Sequence, residues 1–505
     1  MSQLPQGWQS ARLGDLCESS QYGYTAKAGA SGNIHFLRTT DITSGSIDWD
    51  SVPFCDVDDE TREKYLLRDG DVVISRAGSV GYSCLIRQPR PSVFASYLIR
   101  FRPRINADYF KYFLLTPNYW NAIGEQSLGI AVQNVNASNL SKITVPVAPA
   151  AEQTRIVAKL EELLSDLDTG VAELKAAQKK LGQYRQSLLK AAVEGALTAG
   201  WRNQNRPTET GAQLLERILT ERRARWEAKQ LAKFAEQDKT PPKDWQKKYP
   251  EPVQPDTTDL PELPQGWVWA SVEQLSESVR NGLSKAPNTD GRGFPIFKIN
   301  AVRPMAVNFT AIKYIEIDES GAADYWVEKG DVLATRYNGS VDLLGVFGMV
   351  KDVPARTLYP DKLIRMKPVT GVGLGAWMEV CGNVGLSRKH LVSRVKTTAG
   401  QTGISGDDLK KTPIPLPPVV EQEIALAVLE ERSQAVKELE LPTELALKQS
   451  TAQRQNLLRA AFSGQLVPQA SDEPASVLLA RIRAERVARE TTRKPRGRKA
   501  KEASL

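Results

Sequence analysis

The sequence predicts an α+β chain. It has two tandem mixed α/β domains, separated and followed by long helices that pair as an antiparallel coiled coil, with pseudo-two-fold symmetry. Three observations predict this. First, a long phrase occurs twice. Residues 145–198 contain VPVAPAAEQTRIVAKLEELL and then YRQSLLKAAVEGALT; residues 414–468 contain IPLPPVVEQEIALAVLEERS and then QRQNLLRAAFSGQLVP. Glu152-Gln153 matches Glu421-Gln422, Arg185-Gln186 matches Arg454-Gln455, and Gly195 matches Gly464, all 269 residues apart. A repeat of this length is read before anything else, because it defines the architecture. Second, each copy is preceded by a similar stretch of strand-like segments. Third, the apolar residues Ile156, Leu160, Leu163, Leu167, Val171, Leu174, Leu181 and Leu188 step by three, four and seven, the spacing of a coiled-coil seam.

The first domain is expected over residues 1–150. Leu4-Pro5-Gln6-Gly7-Trp8 opens it, a turn that delivers a Trp into the first strand. IHFLRTTDI (34–42) reads as a strand ending in polar residues. LLRDGDVVISRAGSVG (66–81) reads as a tight turn, an apolar strand and a polar loop, and YLIRFRP (97–103) as a third strand. Residues 106–123 have helical apolar spacing, and 129–140 form a polar loop before the last strand. A central long helix follows over 151–200, then a charged helical segment and Pro-rich exposed linker over 201–262.

The second domain, 263–418, repeats the first. Leu263-Pro264-Gln265-Gly266-Trp267 opens it, FPIFKINAV (294–302) places Lys298 opposite Arg38, WVEKGDVLATRYNGSV (326–341) repeats the Gly-Asp-Val strand, and KLIRMKP (362–368) repeats the third. The register between copies drifts by a few residues, so loop lengths differ on a shared strand frame. Such loops are where specificity usually resides. A distal helix is expected over 419–467, broken near Pro442 because proline lacks the N–H and clashes with the preceding turn. Residues 468–505 should form a charged helix, whose LLARI…ER repeats the LLERI…ER of 214–222, and a basic disordered tail.

The 505 residues suffice for two or more domains with sizeable cores. Net charge is +8 and the sequence pI about 9.1, which weakly favours an acidic partner such as nucleic acid. Cys17, Cys55, Cys84 and Cys381 are far apart without a CxxC, so neither a zinc site nor a disulfide framework is suggested, and a reducing cytoplasm fits. Neither a signal peptide nor a membrane-length apolar run is visible.

Catalytic motifs are not found. There is no GxxxxGK[ST] phosphate loop and no Asn/Asp-Pro-Pro-aromatic tetrapeptide for adenine methyl transfer. Gly371-Val372-Gly373-Leu374-Gly375 lacks a βαβ context and reads as a turn into a helix. Pro360-Asp361-Lys362 has no spaced acidic partner that would make a nuclease motif. His35 and His390 read as structural or surface residues, and Cys84 and Cys381 as core.

The twice-used proline, Glu-Gln, long-helix, Arg-Gln, Leu-Leu, Ala-Ala, Gly phrase resembles the specificity subunit of type I restriction–modification enzymes. So do two variable halves that each open with LPxGW and contain a Gly-Asp-Val strand. The resemblance covers nearly the whole chain except the basic tail. It implies that each variable half is a target recognition domain reading one part of a split, asymmetric sequence in double-stranded DNA. The helices then act as a ruler and dock two methyltransferase subunits, with two restriction/translocase subunits completing the assembly. S-adenosylmethionine belongs to the methyltransferase partner, ATP and magnesium to the motor partner, and this chain has neither cofactor nor catalytic site. A coiled-coil scaffold without DNA binding, a recognition subunit of another phage-defence system, and a self-contained enzyme are the competing readings.

Arginine forks suit guanine edges, and Asn or Gln suit adenine. The candidate DNA contacts are Arg38, Thr40, Arg76, Ser79, Gln133 and Asn134 in the first domain. In the second they are Lys298, Asn300, Arg336, Asn338, Ser340 and Gln401.

Overall fold

The computed structural model describes residues 4–127, 135–369, 373–398, 401–470 and 473–492. The chain divides into two compact units. One joins Met1–Ala176 to Thr443–Leu505, and the other is Ala177–Pro442. Each long helix therefore contributes a segment to both units.

In the first unit a four-stranded antiparallel sheet has the order Cys17–Tyr22, Leu98–Pro103, Val72–Ser75, Ser83–Leu85. Val72-Val73-Ile74-Ser75 is buried throughout, which explains a run of apolar residues without polar alternation. Val72 and Ile74 enter one core with Ile99 and Phe101; Val73 enters another with Leu98 and Cys84. The sheet is thus covered on both faces. A ribbon of Gln9–Arg12 against Thr144–Val147 ties the domain's beginning to its end. A smaller sheet places Ile34–Leu37 between Phe54–Cys55 and Ser92–Phe94.

The second unit repeats this plan. Its sheet runs Ser276–Asn281, Leu363–Pro368, Val332–Thr335, Phe347–Met349, and its closing ribbon pairs Val268–Ser271 with Pro413–Leu416. Val332 and Ala334 face one core and Leu333 the other.

The Gly-Asp-Val motif is a turn with a buried anchor. Gly70 and Gly330 have φ of +82° and +90°, a backbone region that favours glycine. The following Asp71 and Asp331 are buried. Asp71 accepts from the Arg68 N–H at 3.0 Å and from Arg102 Nε at 2.8 Å. Asp331 accepts from the Glu328 N–H at 2.8 Å, with Arg365 3.8 Å away.

The first long helix runs Ala150–Val193 and the second Val419–Phe462. Within the first unit the early part of one shares a core with the late part of the other: Ile156, Leu160 and Leu164 cluster with Leu458, Ala461 and Phe462, and Arg454 pairs with Asp168. In the second unit the roles reverse. Leu188, Leu189 and Val193 cluster with Ala425 and Leu429, and Arg185 meets Glu440 at 2.6 Å. Start packs against end in both units, so the segments are antiparallel. The expected break near Pro442 does not occur, and the helix continues through it. Proline removes one backbone donor there, at a stretch where Leu439, Leu441 and Leu445 are exposed.

The repeated phrase is explained by a repeated bond. Trp8 Nε1 donates to buried Glu152 at 3.1 Å, and Trp267 Nε1 donates to buried Glu421 at 2.9 Å. The neighbouring amides close the helix starts: Gln153 Nε2 donates to Ala148 O and Gln422 Nε2 to Pro417 O, both at 2.8 Å. Each long helix is thereby locked to the Trp that opens the domain before it.

Two charged helices, Gly211–Glu236 and Ala475–Thr492, dock in equivalent ways. Leu214 and Ile218 enter the second unit's core, and Leu478, Leu479 and Ile482 enter the first's. Backbone bonds repeat the match: Gly211 N–H to Gly266 O and Ala475 N–H to Gly7 O. Ion pairs do so again, Arg225 with Glu277 and Arg489 with Glu18. The Pro-rich linker is exposed over most of its length, as expected, and is tethered at a few points. Buried Arg222 donates to Ser276 O, Tyr249 Oη and Pro250 O, and Trp226 stacks on Trp245.

Candidate nucleic-acid interface

Each central sheet strand ends in an arginine. Arg76 follows Val72–Ser75, and Arg336 follows Val332–Thr335. Their backbones are held identically. Arg76 N–H donates to Tyr97 O and Arg336 N–H to Lys362 O, both at 2.9 Å. Arg76 O accepts from Val135 N–H and Arg336 O from Ile404 N–H, both at 3.0 Å. Each loop is then folded back by the preceding hydroxyl, Ser75 Oγ to Ser79 O and Thr335 Oγ1 to Leu343 O.

The guanidinium groups are held on aromatic rings. Arg76 lies 4.9 Å from the centroid of Tyr22, and Arg336 lies 4.8 Å from that of Tyr337. Stacking of this kind restrains the fork while leaving its edge donors usable. The tyrosine differs in origin: Tyr22 comes from the neighbouring part of the domain, whereas Tyr337 is adjacent in sequence. Arg336 Nε is buried with no hydrogen-bond acceptor among the described residues, and its Nη1 reaches Asp361 O only at 3.5 Å.

The other sequence candidates fall in several places. Ser79 and Ser340 are exposed in the arginine loops. Asn338 donates its N–H to Thr402 O at 3.4 Å and accepts at Oδ1 from Ser340 N–H at 3.0 Å. Gln401 lies in the strand Gln401–Gly403, which pairs with Lys396–Thr398 and bridges to Tyr337 through Gly403. Arg38 and Thr40 sit in a separate short turn after Ile34–Leu37. Asp41 takes both Arg38 Nε at 3.1 Å and Nη2 at 2.8 Å, which raises the guanidinium pKa and occupies its fork; Thr40 also donates to Asp41. Lys298 and Asn300 are exposed in the equivalent turn after Phe294–Phe297. Gln133 and Asn134 lie outside the described residues, as do Gly371 and Val372.

Sequence reasoning missed the aromatic component. Tyr22, Tyr82 and Tyr97 are 40%, 42% and 60% exposed at the ends and loops of the first sheet. Tyr82 meets Trp120 edge-on at 5.4 Å. Tyrosines near both arginine motifs, Tyr82 and Tyr97 in the first and Tyr337 in the second, were the available signal. Arg394 and Lys396 were also missed; together with Arg336, Tyr337, Gly403, Ile404, Ser405 and Asp408 they line a cleft of about 310 Å³ in the second unit.

The four cysteines are buried and free. Burial pushes the Cys84 thiol up to about 11 and raises those of Cys17 and Cys381 well above the ordinary range. His35 stacks on Phe54, and burial lowers the pKa of His390. Among the described residues there is no cluster of three or more His, Cys, Asp or Glu side chains placed to hold a metal, and no helix long and apolar enough to cross a membrane.

Residues 5–176 match the family model described as the type I restriction modification DNA specificity domain. Along nearly its whole length the chain is 28% identical to the EcoKI specificity subunit of Escherichia coli K12, covering 96% of this chain and 97% of that one. Over nearly its whole length this chain is similar to type I restriction specificity subunits. It is also 24% identical to the StySPI specificity subunit of Salmonella potsdam, covering 96% of both chains. The fold matches a chain from a structure titled for complex assembly and conformational transition of the type I R-M system. That match has a TM-score of 0.61 at 16% identity and covers 92% of this chain and 100% of that one. The type I likeness and the mixed helix-and-sheet architecture therefore agree with the sequence resemblance.

Proposed function

We propose that this chain is the DNA-reading subunit of a cytoplasmic type I restriction–modification assembly, with each domain reading one half of an asymmetric bipartite target. One observation carries the reading. The same strand end in both domains presents an arginine stacked on a tyrosine, in loops that differ in length and composition. Shared positioning with different chemistry is what two readers of different half-sites require. Arg76 and Arg336 are the principal base readers in this proposal, with Ser79, Asn338, Ser340 and Gln401 beside them. Arg38 is demoted, because its fork is committed to Asp41.

The paired helices serve as the spacer. Stiff spacing matters because readers on one face of a duplex address half-sites roughly 34–36 Å apart, about one helical turn. Two methyltransferase subunits, supplying S-adenosylmethionine chemistry, dock on the helical region. Two motor subunits using ATP and magnesium complete the assembly, and this chain contributes addressing rather than catalysis.

The test is to co-express the chain with its methyltransferase partner and map N6-methyladenine across host DNA. A split motif with a fixed spacer supports the reading. A stable complex that methylates without any sequence motif overturns it.

A further inference from the structure

The second domain's cleft is more cationic than base reading requires. Arg336, Arg394 and Lys396 line it, against a single carboxylate, Asp408. That carboxylate is already engaged, since Asp408 accepts from Ser405 Oγ at 2.5 Å and from the Ser405 N–H at 3.4 Å, closing the start of Gly406–Lys410. Arg394 and Lys396 are exposed and make no salt bridge among the described residues. The buried Arg336 Nε has no acceptor there either. The walls are the Arg336–Tyr337 loop and the Lys396–Thr398/Gln401–Gly403 ribbon, joined by the Tyr337–Gly403 bridge.

We propose that this cleft is a phosphate clamp: Arg394 and Lys396 hold one phosphate of the DNA backbone beside the base addressed by Arg336. Two long cationic side chains, one a compact ammonium, suit a diffuse anion better than the ordered edge of a base. Arg394 caps the end of the helix Gly385–Ser393, and Lys396 opens the strand that follows it. The proposal rests on the DNA-reading function above.

The test uses the full chain with its methyltransferase partner. Affinity is measured between about 50 and 200 mM salt for a duplex with the methylated motif and one without it. Each phosphate contact contributes a slope of about 0.9 in log affinity against log salt, or roughly 3- to 4-fold over that range. A double variant, Arg394→Ala with Lys396→Ala, is expected to lose about that slope on both duplexes and to methylate the same motif. Arg394→Lys should retain it. An unchanged slope in the double variant overturns the clamp, and so does a changed motif, which would make these residues readers. A wild-type complex without salt-dependent DNA affinity would instead defeat the DNA-reading function itself. Far-ultraviolet circular dichroism matching wild type confirms that the variants are folded.

Discussion

Removing the Glu421 carboxylate should open the second unit far more than the equivalent change opens the first. Glu421 is 0% exposed and accepts from Trp267 Nε1 at 2.9 Å, Thr198 Oγ1 at 2.6 Å, and Arg202 Nε and Nη2 at 2.9 and 2.8 Å. Glu421→Ala strands a mostly buried guanidinium and an indole N–H. Breaking a buried pair from one side costs about 3–5 kcal/mol. Glu152 is 1% exposed but accepts from two neutral donors, Trp8 Nε1 at 3.1 Å and Gln469 Nε2 at 2.9 Å. Glu152→Ala leaves unsatisfied donors without an orphaned cation, about 1–3 kcal/mol. Native-state hydrogen exchange resolved to peptides reads the opening free energy of each unit separately. The expected result is a larger loss in peptides flanking 198–202 and 267 for Glu421→Ala than in those flanking residue 8 for Glu152→Ala. Arg202→Ala combined with Glu421→Ala should cost less than the sum of the two. Equal losses from the two glutamate variants, or strict additivity with Arg202, would refute the assignment of Arg202 as the source of the asymmetry.

Arg76→Ala should relax specificity in one half-site only, by about 1–3 kcal/mol at one base pair, seen as a degenerate position in the methylation motif while the other half stays intact. Inserting four residues after Leu181 adds about 6 Å of helix and should change the length of the unspecified spacer with both half-sites preserved; an unchanged spacer would remove the ruler. Burial raises the Asp331 carboxyl from its ordinary 3.8 to about 6, against the attraction of Arg365. Protonation therefore favours the folded second unit. The contribution is full below pH 3.8 and is lost as pH rises through about 6, on the order of 2–3 kcal/mol. Asp331→Asn should flatten that slope in exchange measurements across residues 326–335.

The duplication, the antiparallel helix seam, the turn before each central strand and the placing of Arg76 and Arg336 at strand ends were all legible in the chain. Each is a local pattern or a repeat of one. One expectation was too local. Proline at 442 does not end its helix, which loses one backbone donor there and runs on from Val419 to Phe462. The linker after residue 236 is exposed over most of its length, as expected, and only the tertiary structure shows that Arg222 and Trp226 reach across to it.

By itself, the sequence determined that this chain is one plan used twice, since periodicity and repeated phrases require no knowledge of distant contacts. Tertiary structure alone decided what the repeated residues do. Trp8 and Glu152 are 144 residues apart, and Gln469 and Glu152 are 317 apart, yet each pair shares a hydrogen bond. The C-terminal segment joins the N-terminal domain rather than its chain neighbour. Arg76 and Arg336 find their tyrosines by different routes, and Arg394 and Lys396 become a cleft only when a ribbon folds against the Arg336 loop. Such pairings depend on burial and on donors meeting acceptors across the fold, which local spacing does not encode.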